Sequence, residues 1–533
     1  MESDKRPHKF EYMAQARRWS RLASLKRPPV IALIFPYGAE NRGIRQLAAV
    51  LRKEGFRAPI ILFKEWINNN IKPPTSKEIL LLIQILKETK SDSVGIGFIS
   101  SYLKFVRELT KKIHEELDLP VIWGGIHVTA DPEGSMDYPE AICLGEGEIP
   151  LRELAYQIRD GGDIYSINNF WIHSENGILQ NPLGPLVEDL DSLPFPDFSD
   201  NDKYFIENNK LERFDPVKLG AEYRIIASRG CPFSCSYCYN SILRRIYKDK
   251  GLYCRIRSVE NVIDELKLIK TAMPRIRRIK MDDDTFLFNS EWSNLFCKAY
   301  PEIGLPFDCF LHPDFANEEL LLKLKHTGLQ RIEMGLQSGS ESELKQVYHR
   351  AGKPGSILKF AEFNKKGTRF EVFYDVLIDN PLTTSEEKRE LFDLLLKIPR
   401  PYKLYLLSLT HFPKTELTED LLRKGIISNA DLEGDNSKSY VQYRVSLFYP
   451  RPAEDIFWLS LIILASKSFV PRGLLKEISD NQWLVKNPKP LQLAAFAGNL
   501  IQMLMVAVTM FFRSELTFFK LRQYFSFKKM LTQ

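Results

Sequence analysis

Three of the seven cysteines fall within eight residues, as Cys231-Pro232-Phe233-Ser234-Cys235-Ser236-Tyr237-Cys238. Three thiolates on so short a stretch can wrap one metal cluster. The spacing, three residues and then two, departs from the paired two-residue spacings of a zinc ribbon. A closed zinc site needs a fourth ligand, which Cys254 could supply. The stretch follows an apolar run at 224–228. That places it in a loop beyond a strand's C-terminal end, the edge where a (β/α) barrel carries its chemistry. A second strand is expected at 276–281, and Asp282-Asp283-Asp284 follows it. Carboxylates there suit a cationic group, although a solvated acidic loop would read the same way.

The elements that must position these residues follow from the alternation of short apolar runs with amphipathic stretches. Strands are expected at 30–35, 58–62, 93–99, 120–123 and 141–144, and helices at 43–54, 77–90, 103–117 and 149–159. This is the pattern of a doubly wound α/β sheet. Residues 166–215, rich in Asn, Pro and Asp, read as a linker, and 1–28 as a polar, basic N-terminal extension. Alternation restarts at 224, with further strands at 276–281, 307–312, 331–336, 370–377 and 403–409. These six units predict a partial (β/α)6 TIM-like barrel over 216–420. The domain order is then 1–28, 29–165, 166–215, 216–420 and a mainly helical region, 421–533. In that region 491–512 is 22 residues without a charge, flanked by Lys486, Lys489 and Arg513. It is long enough to span a bilayer. Gln492, Asn499 and Gln502 nevertheless lie near one face of such a helix. A packed or interfacial helix is an equal expectation.

Composition sets the frame. The chain has 533 residues, room for about three domains. With 44% hydrophobic and 27% charged residues it is an ordinary globular sequence. A net charge of +6 over this length gives no reason to expect nucleic acid. Seven cysteines, three of them clustered, suit a reducing cytoplasm rather than a disulfide framework. The charged start, Met1 to Arg6, carries no apolar core of a secretory signal.

The cysteine stretch resembles the CxxxCxxC signature of the radical S-adenosylmethionine enzymes. The resemblance implies that Cys231, Cys235 and Cys238 hold a 4Fe-4S cluster with one iron left open to the amine and carboxylate of S-adenosylmethionine. It implies that the backbone of Tyr237 meets the adenine and that Asp282, Asp283 and Asp284 hold the methionyl ammonium. The run Glu333-Met334-Gly335-Leu336-Gln337-Ser338-Gly339-Ser340, with Arg350 beyond it, resembles the family's GxESGS stretch. By that likeness Gln337, Ser338 and Arg350 meet the ribose and carboxylate. Gln337 stands where Glu is usual, and an amide still bonds a ribose hydroxyl.

Upstream, Ser100 and Ser101, Trp123-Gly124-Gly125-Ile126-His127, and Cys143-Leu144-Gly145-Glu146-Gly147 sit at the strand C-termini of the first sheet. From the residues alone this is the ligand edge of a doubly wound sheet, and a nucleotide would fit as well. Together with the cysteine loop the segment resembles the cobalamin-binding domain of the large cobalamin-dependent radical family. That likeness puts Ser100, Ser101, Gly124, Gly125, His127, Gly145 and Glu146 near the corrin and its nucleotide tail. The loop after the first strand, Pro36 to Gly43, lacks the DxHxxG histidine that ligates cobalt in many cobalamin proteins.

The resemblance implies a methyltransferase acting on an unactivated carbon of a small-molecule or lipid-like substrate through a 5′-deoxyadenosyl radical, fed by an external one-electron reductant. A radical cyclase or rearrangement enzyme with the same cofactors is the alternative, and a non-catalytic cobalamin-binding protein the second. A methylthiotransferase would need a second cysteine set upstream, where only Cys143 stands. Tyr405, His411 and Glu416 are read as packing or solvated residues, and no acid–base pair is assigned. The apolar C-terminal stretch suggests peripheral membrane contact of an otherwise cytoplasmic protein.

Overall fold

Runs such as Ile31-Ala32-Leu33-Ile34 and Ile60-Ile61-Leu62-Phe63 are apolar on both faces, as strands covered on both sides must be. In the computed structural model, which describes residues 9–65, 73–436 and 447–512, they lie at the centre of the first sheet. Among the described residues, nine strands build it. They are β1 (Ile31–Pro36), β2 (Ile60–Phe63), β3 (Ser93–Gly97), β4 (Val121–Gly124), β5 (Ala141–Cys143), β6 (Phe170–Ser174), β7 (Gly177–Gln180), β8 (Lys203–Glu207) and β9 (Lys210–Glu212). Their order is β7-β6-β5-β4-β3-β1-β2-β8-β9, parallel from β5 to β8 with antiparallel strands at both ends.

Alternate side chains of β1 enter different cores. Ala32 and Ile34 join Leu82, Leu86 and Val106, whereas Ile31 and Leu33 join Ala48, Leu51 and Leu154. The helices α1 (Lys9–Ala23), α2 (Arg42–Lys53), α3 (Ser76–Glu88), α4 (Leu103–Leu117), α5 (Ile126–Ala130) and α6 (Glu148–Asp160) therefore cover both faces, as the doubly wound reading expected.

Two stretches differ from expectation. Residues 9–23, read as part of an extension, form α1, with Trp19 fully buried in the second core. Arg18 pairs with the buried Glu140, and Gln15 donates to the carbonyls of Asp137 and Pro139. Within 166–215, read as a linker, β6 to β9 extend the sheet at both ends.

The chain divides into two compact units. The first comprises the described residues of Met1–Asp284, Glu302–Leu305 and His411–Tyr440, and the second those of Thr285–Pro301, Pro306–Thr410 and Val441–Gln533. The second strand–helix series supplies six parallel strands. In the first unit β10 (Glu222–Ile225) pairs with the strand Arg278–Met281. Between them in sequence lie β11 (Ser228–Arg229) and β12 (Arg255–Ile256), an antiparallel ribbon, with α7 (Tyr239–Ile246) and α8 (Val259–Ala272), so that Arg278–Met281 is β13. In the second unit β14 (Phe307–Phe310), β15 (Leu329–Gln337), β16 (Glu371–Ile378) and β17 (Lys403–Ser408) run parallel in that order. The positions match the six strands expected.

The C-terminal region is helical, and the helix Ala453–Ala465 is its buried centre. The helix Lys489–Phe512 packs against it. Gln492 donates to the carbonyl of Leu447 at 2.7 Å, and Lys467 donates to Gln502. The polar residues thus serve packing. Among the described residues no helix is long and apolar enough to cross a membrane. Arg513, read as a flank of the apolar stretch, and Met1 to Arg6 lie outside the described residues.

Candidate active site

The cysteine loop leaves the sheet through a narrow neck. β11 and β12 pair Ser228 with Ile256 and Arg229 with Arg255, so residues 230–254 form one excursion closed at its base. Cys235 is buried, while Cys231 and Cys238 are half-buried, and none of the three is in a disulfide. The Cys238 amide donates to the carbonyl of Cys235, and Cys238 stands at the N-terminus of α7. Burial, followed by the charges of Cys235, Asp284 and Cys231, pushes the Cys238 thiol up to about 11. Three thiolates on so short a loop repel one another and call for a cation among them. Three cysteines on one short loop are the soft donor set that an iron–sulfur cluster takes. Cys254, the fourth-ligand alternative, accepts from Arg244 at 3.8 Å, and Arg244 also holds the Cys231 carbonyl. Tyr237 is half-buried within the loop.

The three acids after β13 have different surroundings. Asp282 faces Arg224 at 3.6 Å and Lys280 at 3.7 Å. Asp283 is buried, and its Oδ1 accepts from the Ala227 and Ser228 amides and the Ser228 hydroxyl. It thereby braces the strand that leads into the cysteine loop. Its Oδ2 is buried without a hydrogen-bond partner, and burial, against those hydrogen bonds, pushes the carboxyl up to about 7. Asp284 accepts from Asn240, whose amide also lies 3.9 Å from the Cys238 sulfur.

In the second unit Gln337 ends β15 with φ +62°. Its Oε1 is buried without a hydrogen-bond partner, an acceptor left for a ligand hydroxyl. Ser338 donates to Glu343, and Arg350 donates to the carbonyl of Gly335 at 2.9 Å. Glu343, which sequence reasoning did not single out, also receives Asn380 and Thr383. A buried carboxylate with three donors fixes the turn that presents Gln337 and Ser338. Tyr405 stacks on Phe373, as a packing residue would.

At the ligand edge of the first sheet lies a cavity of about 510 Å³. Gly95, Gly97, Gly124, Gly125, Gly145 and Gly147 line it, with Leu33, Phe35 and Leu47 as apolar wall. Such a cradle, bare of side chains at the strand ends and apolar along its flank, fits a large planar macrocycle. The lining residues include Asn41 at the end of the loop after β1 and Arg42 and Gly43 at the start of α2, and no histidine. Ile226, Ser228 and Arg229, at the root of the cysteine loop, form part of the same wall.

Of the residues expected near a corrin, Gly124, Gly125, Gly145 and Glu146 line the cavity, whereas Ser100, Ser101 and His127 do not. The Ser100 hydroxyl instead bonds His127 Nδ1 at 2.8 Å and the Tyr239 hydroxyl at 2.5 Å. Tyr239 directly follows the third cysteine. Burial, then the charge of Arg107, pulls His127 down to about 4, so it is neutral at pH 7. Sequence reasoning also missed Glu265, held between Arg42 at 2.8 Å and Arg257 at 2.6 Å on the cavity wall. Arg42 lies far from Glu265 in the chain, and no local spacing signals that pair.

Comparison with known proteins agrees with this geometry. Residues 225–421 match the Radical SAM superfamily and residues 29–155 the B12 binding domain. An uncharacterized methyltransferase of Pyrococcus horikoshii is 28% identical over 357 residues, covering 65% of this chain and 72% of that protein. An anaerobic magnesium-protoporphyrin IX monomethyl ester cyclase of Rubrivivax gelatinosus is 25% identical, covering 58% of this chain and 55% of that protein. Among solved structures, the radical S-adenosylmethionine methyltransferase TsrM of Kitasatospora setae superposes with a TM-score of 0.60 at 18% identity, covering 74% of this chain and 76% of that one.

Proposed function

The chain is a radical S-adenosylmethionine enzyme with a B12-binding domain, and we propose that it transfers a methyl group to an unactivated carbon of its substrate. The observation that carries this reading is the cavity whose wall joins the strand ends of the first sheet to the root of the cysteine loop. Methyl transfer needs the two cofactors side by side, and this wall belongs to both. Bound, the cluster supplies the electron that splits S-adenosylmethionine to a 5′-deoxyadenosyl radical, and cobalamin carries the methyl group.

The chain's own residues bind and orient. Cys231, Cys235 and Cys238 hold the cluster, and Tyr237 lies along the adenine. Asp282 and Asp284 attract the methionyl ammonium. Gln337, through its buried acceptor, and Ser338 take the ribose, and Arg350 the carboxylate. The glycines of the cavity admit the corrin face, while the apolar wall excludes water from a reactive radical. Hydrogen abstraction needs no general acid or base. An external reductant and a substrate complete the system.

A single turnover tests the reading. Under reducing conditions, with S-adenosylmethionine and bound hydroxocobalamin, about one equivalent of S-adenosylhomocysteine per corrinoid is expected. Formation of 5′-deoxyadenosine without any S-adenosylhomocysteine would overturn it in favour of a cyclase, the activity named for the Rubrivivax relative.

A lipid-like substrate met at a membrane surface is favoured by one further feature. Leu493, Ile501, Leu504 and Val508 form an exposed stripe along one side of the helix Lys489–Phe512. Arg472, Lys476, Lys486 and Lys489, in the preceding segment of the sequence, are exposed. The following sequence carries Arg513, Lys520, Arg522, Lys528 and Lys529 against Glu515 alone. An exposed apolar stripe in a basic stretch of sequence suits an anionic bilayer. Leu504→Glu/Val508→Glu is expected to lower cosedimentation with phosphatidylglycerol vesicles by about tenfold, from the loss of two buried apolar side chains. Unchanged cosedimentation removes this reading.

A further inference from the structure

We propose that Glu146 is a positioning residue for the cluster: its carboxylate neutralises two arginines at the neck of the cysteine loop and so fixes that loop to the rim of the cobalamin cavity. This goes beyond the corrin contact that sequence likeness suggests for Glu146. It rests on the cluster and not on methyl transfer.

The neck is made by β11 and β12, and their pairing sets Arg229 directly opposite Arg255. Like charges on facing strand positions repel. Arg255 is almost wholly buried, so water cannot screen the pair. Glu146 lies against both. Arg255 grips it bidentately, Nη1 to Oε2 at 3.0 Å and Nη2 to Oε1 at 2.6 Å. Arg229 Nη1 stands 3.2 Å from Oε1, and its other nitrogen holds Glu148 Oε1 at 2.5 Å. Two cations and two carboxylates thus close a balanced group at the base of the loop. Burial raises the Glu146 pKa, but the hydrogen bonds and charges of Arg255 and Arg229 outweigh it and hold the carboxyl below its ordinary value. It stays ionised at pH 7.

The backbone around Glu146 is tied to the same loop. Its amide donates to the Tyr247 hydroxyl at 2.9 Å, one residue beyond α7. Gly145 sits at φ +68°, and a Cβ there would lie 1.6 Å from the same hydroxyl oxygen. Only glycine lets the tyrosine approach. Tyr239, at the other end of α7, is bonded to Ser100. The cysteine loop is therefore fastened to the first sheet at both ends of α7 and at its neck. Of these ties, only the one at the neck carries charge, and there alone would loss of the partner leave a buried excess.

The test measures retention of the cluster. In anaerobically reconstituted full-length protein, Glu146→Gln is expected to speed iron release to a ferrous chelator about tenfold or more, because it leaves buried Arg255 facing Arg229 without its counter-charge. It should also broaden the electron paramagnetic resonance of the reduced cluster. The double variant Glu146→Gln/Arg255→Gln keeps the Arg229–Glu148 pair and removes the excess charge, and should return release to within about threefold of wild type. Wild-type release in the single variant, or a double variant no better than the single, overturns the proposal. If the single variant fails to fold, the double variant decides on the same criterion. A residue that merely touched cobalamin would show the reverse, weakened corrinoid binding with unchanged iron release, and that result also overturns it. Neither measurement requires turnover, so failure of methyl transfer would leave this result standing.

Discussion

Alanine at Cys231, Cys235 and Cys238 together abolishes formation of 5′-deoxyadenosine from S-adenosylmethionine. A loss of about a thousandfold or more is expected, above 4 kcal/mol in barrier, because the cluster these cysteines hold is what delivers the electron. The measurement is chromatography of anaerobic incubations with dithionite, beside iron content. Cleavage persisting in the triple variant would refute the assignment of the cluster. Cys254→Ser supplies the contrast. Its sulfur already accepts from Arg244, and burial pushes its thiol above the ordinary value. It is expected to keep both iron and cleavage. Zinc in place of iron in the wild type, lost in that variant, would instead support the four-thiolate zinc reading.

The cysteine loop was legible because its information is local. A spacing, an aromatic before the third cysteine and an apolar run ahead of it lie within about fifteen residues, the scale on which sequence pattern determines structure. Strands β1 to β5 of the first sheet and the six of the second series were legible for the same reason. What escaped depends on contacts between distant residues. The helix Lys9–Ala23 lacks a clean apolar period, yet it forms because Trp19 fills a core that α2, α6 and the sheet complete. The strand Lys203–Glu207 alternates over too few residues to stand out, and it forms because β2 offers it an edge.

The candidate ligand edge shows the same limit at single residues. Sequence likeness grouped Ser100, His127, Gly145 and Glu146 as neighbours of one cofactor. In the fold Ser100 bonds both His127 and Tyr239, Gly145 makes room for Tyr247, and Glu146 pairs with Arg255. Ser100, Gly145 and Glu146 therefore meet the cysteine loop's own helix and neck, and His127 backs Ser100. A motif at a strand end says that the backbone must come close to something, without saying whether that is a ligand or another part of the chain. Only the register of β11 against β12 shows two arginines in need of a carboxylate.

Asp215→Asn is expected to destabilise the first unit by about 3–5 kcal/mol, the cost of stripping a buried ion pair of one partner. Asp215, Arg45 and Lys203 have fully buried side chains. Both guanidinium nitrogens of Arg45 hold the Asp215 carboxylate, and Lys203 Nζ donates to it at 2.8 Å. Asparagine leaves two buried cations with one neutral amide and the more distant Asp197. Only the lysine can shed its charge. Burial, against the pull of Asp215, already lowers Lys203 from 10.5 to about 8. A lysine whose folded pKa lies below its unfolded one binds fewer protons in the folded state between those values. Stability therefore rises with pH across that window and is flat below it. Without Asp215 the folded pKa drops further, and the window opens at lower pH. Urea unfolding at pH 7 and pH 9 should show the variant regaining part of its loss, with less change in the wild type. An equal loss at both values would mean that Lys203 keeps its proton. The consequence reaches the cofactor. Arg45 also holds the Ala39 carbonyl at 2.6 Å and lies in α2, whose residues from Arg42 to Leu47 line much of one side of the cavity. Corrinoid affinity should fall together with stability, because the acid that neutralises this core also seats the helix against which the macrocycle would rest.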